Sequence, residues 1–173
     1  MNKKLKFTIA YLPVIIVTIT ICMISSCSNT DTTNTDNMVA IELALDAFVA
    51  DLMINPPDSS TISDRVHDYL AKQPDSFFGA TVTLLNTSGE AVYSPYWYRE
   101  NGTLIEKNLV DDITYQIDDQ DWLRIAIDEG EPFWTEPYFD AGGGNIWMQT
   151  YSVPVYIDGN IEAVATTDMK YAN

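Results

Sequence analysis

The chain has 173 residues, with 9 Lys and Arg against 25 Asp and Glu, for a formal net charge of −16 at pH 7. Lys3, Lys4 and Lys6 lie at the extreme N-terminus, so the remainder holds 6 basic and 25 acidic residues and a net charge of −19. A body this acidic repels phosphate backbones and anionic lipid, which excludes nucleic-acid binding and adsorption through a basic face. Its 4 Trp, 10 Tyr and 6 Phe exclude a disordered acidic tail and supply the apolar mass of one core.

Residues 7–24 are apolar or Thr apart from Pro13, directly after the basic stretch. That asymmetry keeps the N-terminus in the cytoplasm and sends the rest of the chain outward. Ile24, Ser25, Ser26 and Cys27 resemble a bacterial lipobox, with Cys27 as the lipidated residue. The apolar run is also long enough to remain as a membrane anchor, since roughly 17–25 residues span a bilayer. The polar tract 28–37 reads as a flexible tether, which favours the lipid anchor over a helix continuing out of the membrane. The expected layout is a signal peptide or anchor over 1–27, a tether over 28–37 and a folded domain over 38–169. Ser28 rather than Asp after Cys27 resembles the pattern that sends Gram-negative lipoproteins to the outer membrane. The expected location is therefore the periplasmic or extracytoplasmic side of a bacterial cell envelope. Cys22 lies in the apolar run, so the folded part has no cysteine for a disulfide or a thiolate metal site.

Residues 38–54 read as a helix charged only at Glu42, Asp46 and Asp51, with apolar positions on more than one face. Such a helix suits burial on two sides, against a sheet and against a second copy of the chain. Pro56 and Pro57 stop it. Ser60 or Thr61 caps a second helix running to about Lys72, ended by Pro74. A strand over 79–85, a turn over 86–89 and a strand over 91–98 form a hairpin, and Asn101-Gly102 marks another turn. Residues 118–129 read as a helix with Asp118 or Asp119 at its cap and Trp122, Ile125 and Ala126 on one face. Strands over 146–156 and 161–167 follow, joined at 158–160. The order describes an α+β domain with a central antiparallel sheet, a long N-terminal helix and an irregular helical crossover.

Five blocks carry a resemblance: F-F-G-A at 77–80, Y-S-P-Y-W-Y-R at 93–99, W-T-E-P-Y-F-D at 134–140, M-Q-T-Y-S-V-P-V-Y at 148–156 and T-T-D at 166–168, with Asp121-Trp122 between the second and third. In this order they resemble the PAS-like, membrane-distal module of double-Cache sensory domains, over about residues 38–169. The resemblance implies a pocket on one face of the sheet, roofed by the crossover, and a sensory rather than catalytic role. Independently, residues 93–151 concentrate aromatic side chains of the kind that line ligand sites. The candidate ligand-binding residues are Tyr96, Tyr98, Arg99, Tyr115, Gln120, Trp122, Tyr138, Asp140, Tyr151 and Asp168. Amino-acid-binding Cache domains have an Arg where this chain has Gln120 and a Tyr where it has Leu123. Tyr115, Trp122, Tyr138, Asp140 and Asp168 match the rest of their motif. An amide lacks the bidentate charged fork that Arg offers a carboxylate. The surviving half of the motif is the one that holds an ammonium, which favours an amine or other cation. Arg99 or Arg124 keeps amino acids and organic acids open.

Other roles are weaker. Trp134 and Pro137 read as packing residues of the crossover, and Asp140 also suits shaping of the turn at 141–144. Asp111-Asp112 and the acidic run 118–121 lack the ligand spacing of a calcium loop and read as a solvated face. His67 is the one histidine, so no Ser-His-Asp set or histidine metal site exists. Glu136 and Asp140 as hydrolytic carboxylates lack assured opposition across a cleft. No cofactor, metal or catalytic residue is expected. Because the chain stops at Asn173, the expectation is a sensor that reports occupancy to a separate membrane partner, with pairing through the 38–54 helix. The competing expectation is a structural or interaction lipoprotein, or a truncated receptor fragment, that binds no ligand.

Overall fold

The computed structural model describes residues 29–171, so the lipobox with Cys27, the apolar run before it and Ser28 lie outside the described residues. The first helix, α1 (Asn29–Ile54), begins well before Met38. The tract read as a tether is helical from Asn29 onward. Its apolar side chains divide between two faces. Ile41, Leu45, Val49 and Leu52 recur at helical spacing and are buried, while Val39, Leu43, Met53 and Ile54 are exposed. No helix among the described residues is long and apolar enough to cross a membrane.

Helix α2 (Ile62–Ala71) buries Ile62, Val66, Tyr69 and Leu70 beside α1. Thr61 stands at its N-cap position but does not cap it. The Thr61 hydroxyl donates to Asp58 Oδ2 (2.7 Å), and the Asp58 carboxylate organises the turn instead, also accepting from the Ser60 N–H. Arg65 ties α2 to the end of α1, through Asp51 Oδ2 (3.0 Å) and the Asn55 carbonyl (2.9 Å).

The sheet is antiparallel throughout and built from β1 (Gly79–Leu85), β2 (Ala91–Tyr93), β3 (Pro95–Glu100), β4 (Thr103–Asn108), β5 (Phe133–Trp134), β6 (Tyr138–Phe139), β7 (Trp147–Ile157) and β8 (Asn160–Lys170). Its order is β4-β3-β1-β8-β7-β5, with β2 on β1 and β6 on β7. Two tight turns set the long hairpins. Asn101-Gly102 and Asp158-Gly159 all have positive φ, the two-residue turn whose twist matches paired strands. The strand read as 91–98 is interrupted at Ser94, whose N–H donates to Asn108 Oδ1 (2.9 Å) before β3 begins at Pro95.

Between β4 and β5 the chain makes 3-10 turns at Leu109–Asp111 and Ile117–Asp119, then helix α3 (Asp121–Glu129). The helix starts later than Asp118, and neither Asp118 nor Asp119 caps it. Gln120 holds the N-cap position, while Asp118 Oδ1 accepts from the Ala91 N–H (2.8 Å). Trp122, Leu123 and Ala126 form the buried face and Ile125 is only half-buried, because Leu123 rather than Ile125 turns toward the sheet.

One face of the sheet packs on α1 and α2 through Ala80, Val82, Val153, Val155, Ala163 and Ala165. The other face packs on α3 and the 3-10 turns through Leu85, Tyr96 and Val164. Alternation along each strand decides which residues reach which layer. Tyr96 and Tyr98 face α3, so Trp97 and Arg99 face the helical pair. Arg99 therefore lies on the opposite side from α3, where its guanidinium donates to the carbonyls of Leu70 (2.9 Å), Gln73 (2.8 Å) and Phe77 (2.9 Å), closing the C-terminal end of α2. Likewise Tyr151 lies opposite to the side that Thr150 and Ser152 share, its ring tilted against Trp134 with centroids 5.2 Å apart and its hydroxyl donating to Asp46 Oδ1 of α1 (3.3 Å). Trp134 Nε1 donates to Glu42 Oε1 on the same side (2.8 Å).

Arg99→Met keeps the stem and removes the charged donors. It is expected to lower unfolding free energy by about 2–3 kcal/mol in urea denaturation and to leave ligand affinity unchanged. Weakened ligand binding at unchanged stability would put Arg99 back in the site.

Candidate ligand site

The face of the sheet under α3 carries a row of hydroxyl and carboxyl side chains rather than a continuous apolar surface. Thr81 on β1, Thr150 on β7, and Thr166 and Asp168 on β8 all point there, and all are buried. Asp168 lies between Gly79 of β1 and Thr150 of β7 in register. Gly79 matters because it has no side chain: a Cβ there would lie 2.4 Å from the Tyr96 hydroxyl oxygen. The space lets the Tyr96 ring cross from β3 over β1 and donate to Asp168 Oδ2 (2.8 Å). Thr150 donates to Asp168 Oδ1 (2.7 Å), and the Tyr138 hydroxyl is bonded to Thr150 Oγ1 (2.8 Å).

A second chain of hydrogen bonds ends on Asp140, which follows β6. Trp122 Nε1 donates to the Tyr115 hydroxyl (3.1 Å), Tyr115 donates to Asp140 Oδ1 (2.8 Å), and the Gly144 N–H donates to Asp140 Oδ2. Asp140 thus shapes its own turn and also faces inward. Both carboxylates are 4% exposed. Between them lies a hollow lined by Tyr96, Tyr115, Trp122, Tyr138, Asp140 and Asp168, with Thr81, Leu109 and Thr166 completing it. Its volume is about 10 Å³, room for a single water. Trp122 and Tyr138 also line a cleft of about 530 Å³ on the outer side, between α3 and β5–β6, whose rim carries Asp119, Asp121 and Glu136. These two aromatics form the wall between the open cleft and the closed hollow.

The electrostatics follow from this burial. Loss of solvent raises the Asp168 pKa to about 7, the Asp140 charge adds to the rise, and the bonds from Thr150 and Tyr96 oppose it. Burial, and then the same carboxylates, hold the phenols of Tyr96, Tyr115 and Tyr138 well above the ordinary tyrosine value, so they stay O–H donors. Lys107 on β4 is registered opposite Tyr96, and its ammonium lies 5.8 and 5.4 Å from the centroids of the Tyr96 and Tyr98 rings. Burial lowers its pKa against the pull of Asp140 and Asp112.

Six of the ten candidates therefore meet at one place: Tyr96, Tyr115, Trp122, Tyr138, Asp140 and Asp168. Tyr98 stacks on Tyr96 with ring centroids 5.4 Å apart, one step farther out. Gln120 lines the outer cleft, and its amide donates to the Tyr115 carbonyl (2.7 Å). Arg99 and Tyr151 lie on the opposite side of the sheet. Sequence reasoning missed Gly79, Thr81, Thr150, Thr166 and Lys107. Parity along the strands identifies the threonines, since T-Y-S at 150–152 and T-T-D at 166–168 put Thr150, Ser152, Thr166 and Asp168 on one side.

Residues 62–173 match the family described as methyl-accepting chemotaxis protein-like, first PDC sensor domain, the kind of sensory domain to which the Cache resemblance points. No curated protein matches the chain. Among solved structures, the extracellular domain of the putative histidine kinase soHK1S-Z6 superposes with a TM-score of 0.69 at 22% identity, covering 83% of this chain and 57% of that one. The ligand-binding domain of the Campylobacter jejuni chemoreceptor Tlp3, in complex with L-valine, gives 0.56 at 21% identity, covering 82% and 53%. The chain thus spans little more than half the length of either structure, and at these identities the likeness shows the fold: an α+β sensory-domain architecture.

The raised Asp168 pKa has a defined sign in stability. The neutral carboxyl is favoured in the folded state, so its contribution is complete below 3.8 and is lost as pH rises through about 7. Asp168→Asn removes that component. Relative to the variant, the wild type is expected to lose on the order of 3 kcal/mol between about pH 4 and pH 8 in urea denaturation. Parallel stability curves would contradict the burial of this charge.

Proposed function

The chain belongs to the family of methyl-accepting chemotaxis protein-like first PDC sensor domains, and from that premise we propose that it is an extracytoplasmic sensor of a small amine, whose ammonium sits between Asp140 and Asp168. The observation that carries this reading is the pair of buried carboxylates facing one hollow, walled by Trp122, Tyr96 and Tyr138. An ammonium entering there gains two charged acceptors and the faces of aromatic rings in a site shielded from water. Gln120 supports the same choice, since its amide is engaged by the Tyr115 carbonyl and carries no charge for a ligand carboxylate.

A second reading, an α-amino acid, is favoured by Lys107. Its ammonium lies beside Tyr96 and Tyr98 at the edge of the hollow, where a ligand carboxylate would find a cation. The Tlp3 domain in complex with L-valine is a member of the same fold. In either case the domain is held to the envelope through a lipid on Cys27 or through residues 7–24, and reports occupancy to a membrane partner. Pairing of two copies through the outer side of α1 belongs to the same proposal, since Val39, Leu43, Met53 and Ile54 leave an apolar stripe exposed there.

Three compounds separate the readings: L-valine, isobutylamine, which lacks its carboxylate, and isovalerate, which lacks its ammonium. Isobutylamine at about 100 times its Kd is expected to stabilise the protein by about 2.7 kcal/mol in thermal unfolding, with no effect from isovalerate. Stabilisation by valine alone selects the amino acid, and by isovalerate alone removes the ammonium site.

Proton linkage gives an independent check. An ammonium bound beside Asp168 requires the ionised carboxylate, so binding near pH 6.5 releases up to one proton and affinity for isobutylamine rises through about pH 7. Calorimetry in buffers of different ionisation enthalpy measures that proton. An affinity independent of pH from about pH 5 to pH 8 would place the amine elsewhere.

A further inference from the structure

The hollow between Asp140 and Asp168 is closed: about 10 Å³ admits a water and no larger molecule. If it is a ligand site, one of its walls must move. Most of those walls are tied down. Tyr96, Thr81, Thr166 and Asp168 stand on strands β3, β1 and β8, each hydrogen-bonded to a neighbour. Trp122, Tyr115 and Leu109 belong to the core under α3.

The segment 141–145 does not itself line the hollow but backs two residues that do, since a Cβ on Gly143 would meet the Asp140 carboxylate and one on Gly144 would lie 3.3 Å from the Tyr96 hydroxyl, and it is held differently. Its hydrogen bonds run within residues 139–146: Ala141 N–H to the Phe139 carbonyl (3.0 Å), Gly142 N–H to Asn145 Oδ1 (3.0 Å), Gly144 N–H to Asp140 Oδ2, and Asn145 N–H to the Asp140 carbonyl (2.8 Å). One side chain joins this segment to another element. The Lys107 ammonium donates to the carbonyl oxygens of both Gly142 and Gly143. Lys107 is placed for this by its strand, because its register partner is Tyr96 and its stem lies along the Tyr96 and Tyr98 rings. The glycines let the segment lie flat on the site. A Cβ on Gly143 would come 1.8 Å from Asp140 Oδ2, and one on Gly144 would come 2.6 Å from Met148 Cε.

We propose that Lys107 is a latch, holding the 141–145 segment shut over the acidic hollow, and that a ligand reaches Asp140 and Asp168 when the Lys107 ammonium leaves the Gly142 and Gly143 carbonyls. The role assigned to the hollow rests on the ligand-site reading above; the latch itself is a property of the unliganded chain. The chemistry of release follows from charge. Lys107 and an incoming ammonium carry the same sign near Asp140, so an amine weakens the latch as it binds. A ligand carboxylate would instead capture the freed Lys107 ammonium and hold the segment in a new closed position.

Amide hydrogen exchange on the full chain without ligand tests the latch directly. Lys107→Met preserves the stem over the tyrosine rings and removes the ammonium. The Gly142, Gly144 and Asn145 amides are then expected to exchange about tenfold faster or more, with amides of β1 and β8 unchanged. Lys107→Arg, which restores a donor, is expected to return them toward the wild-type rates. Unchanged exchange at 142–145 in Lys107→Met overturns the latch, as does equal acceleration in β1 and β8, which would make Lys107 an ordinary stabilising residue. Isobutylamine association separates the two claims. A faster on-rate in Lys107→Met supports the latch as the door to the site, whereas failure of the wild type to bind any of the three compounds falls on the ligand reading and leaves the exchange result to decide the latch.

Discussion

Two carboxylates are buried on one side of the sheet, and the local architecture is arranged around that fact. Taking one carboxylate out of water is costly unless donors replace its hydration, and a second of the same sign adds repulsion. Asp168 is met by the hydroxyls of Tyr96 and Thr150, and Asp140 by the hydroxyl of Tyr115 and the backbone of Gly144. Each hydroxyl donor is itself positioned by another residue: Tyr96 by the missing side chain at Gly79, Tyr115 by the Trp122 indole, Thr150 by Tyr138. These bonds soften the cost without removing it, which is why the Asp168 pKa still rises. An unfavourable arrangement of two acids is a favourable one for a cation, and the domain keeps that potential in a hollow too small to be satisfied by solvent alone.

The fold is divided accordingly. The side of the sheet facing α1 and α2 is apolar, closed by aliphatic residues and by the Arg99 guanidinium on the end of α2. The side facing α3 mixes apolar packing with hydroxyls and acids, and its cover consists of short turns, a short helix and a glycine segment. Such a cover buries little backbone in regular ladders, and low local stability is what a ligand-responsive surface requires. The family's sensory role and this division of labour point in the same direction.

Much of this was legible in the residues. Asn101-Gly102 and Asp158-Gly159 marked their turns because few other pairs accept positive φ twice. The α+β order, the helix ending at Glu129 and the long final hairpin followed from periodicity. Strand β4 escaped notice because Thr103–Asn108 is a sheet edge of mixed polarity, without the alternation that marks a half-buried strand. Lys107, carried on that strand, was missed with it. Helix caps were misassigned where acidic and hydroxyl side chains had other partners, as at Thr61 and Asp118. For the site, the family resemblance supplied Asp140, Asp168, Trp122, Tyr115 and Tyr138 together. Composition alone also drew in Arg99 and Tyr151, which strand parity sends to the other face. The threonines on β7 and β8 share the parity of Asp168 and could have been found by it, but a Thr in a strand reads first as ordinary β-propensity.

The claim on which the ligand reading stands is that Asp168 is a buried acid beside a second carboxylate and waits for a cation. Carbon-13 NMR of the aspartate side-chain carboxyls, titrated with and without isobutylamine, observes it most directly. The account predicts one carboxyl, absent in Asp168→Asn, that titrates near pH 7 in the free protein and shifts to markedly lower pH when the amine is present. An Asp168 signal that titrates in the ordinary aspartate range, and does not move with the amine, would contradict it.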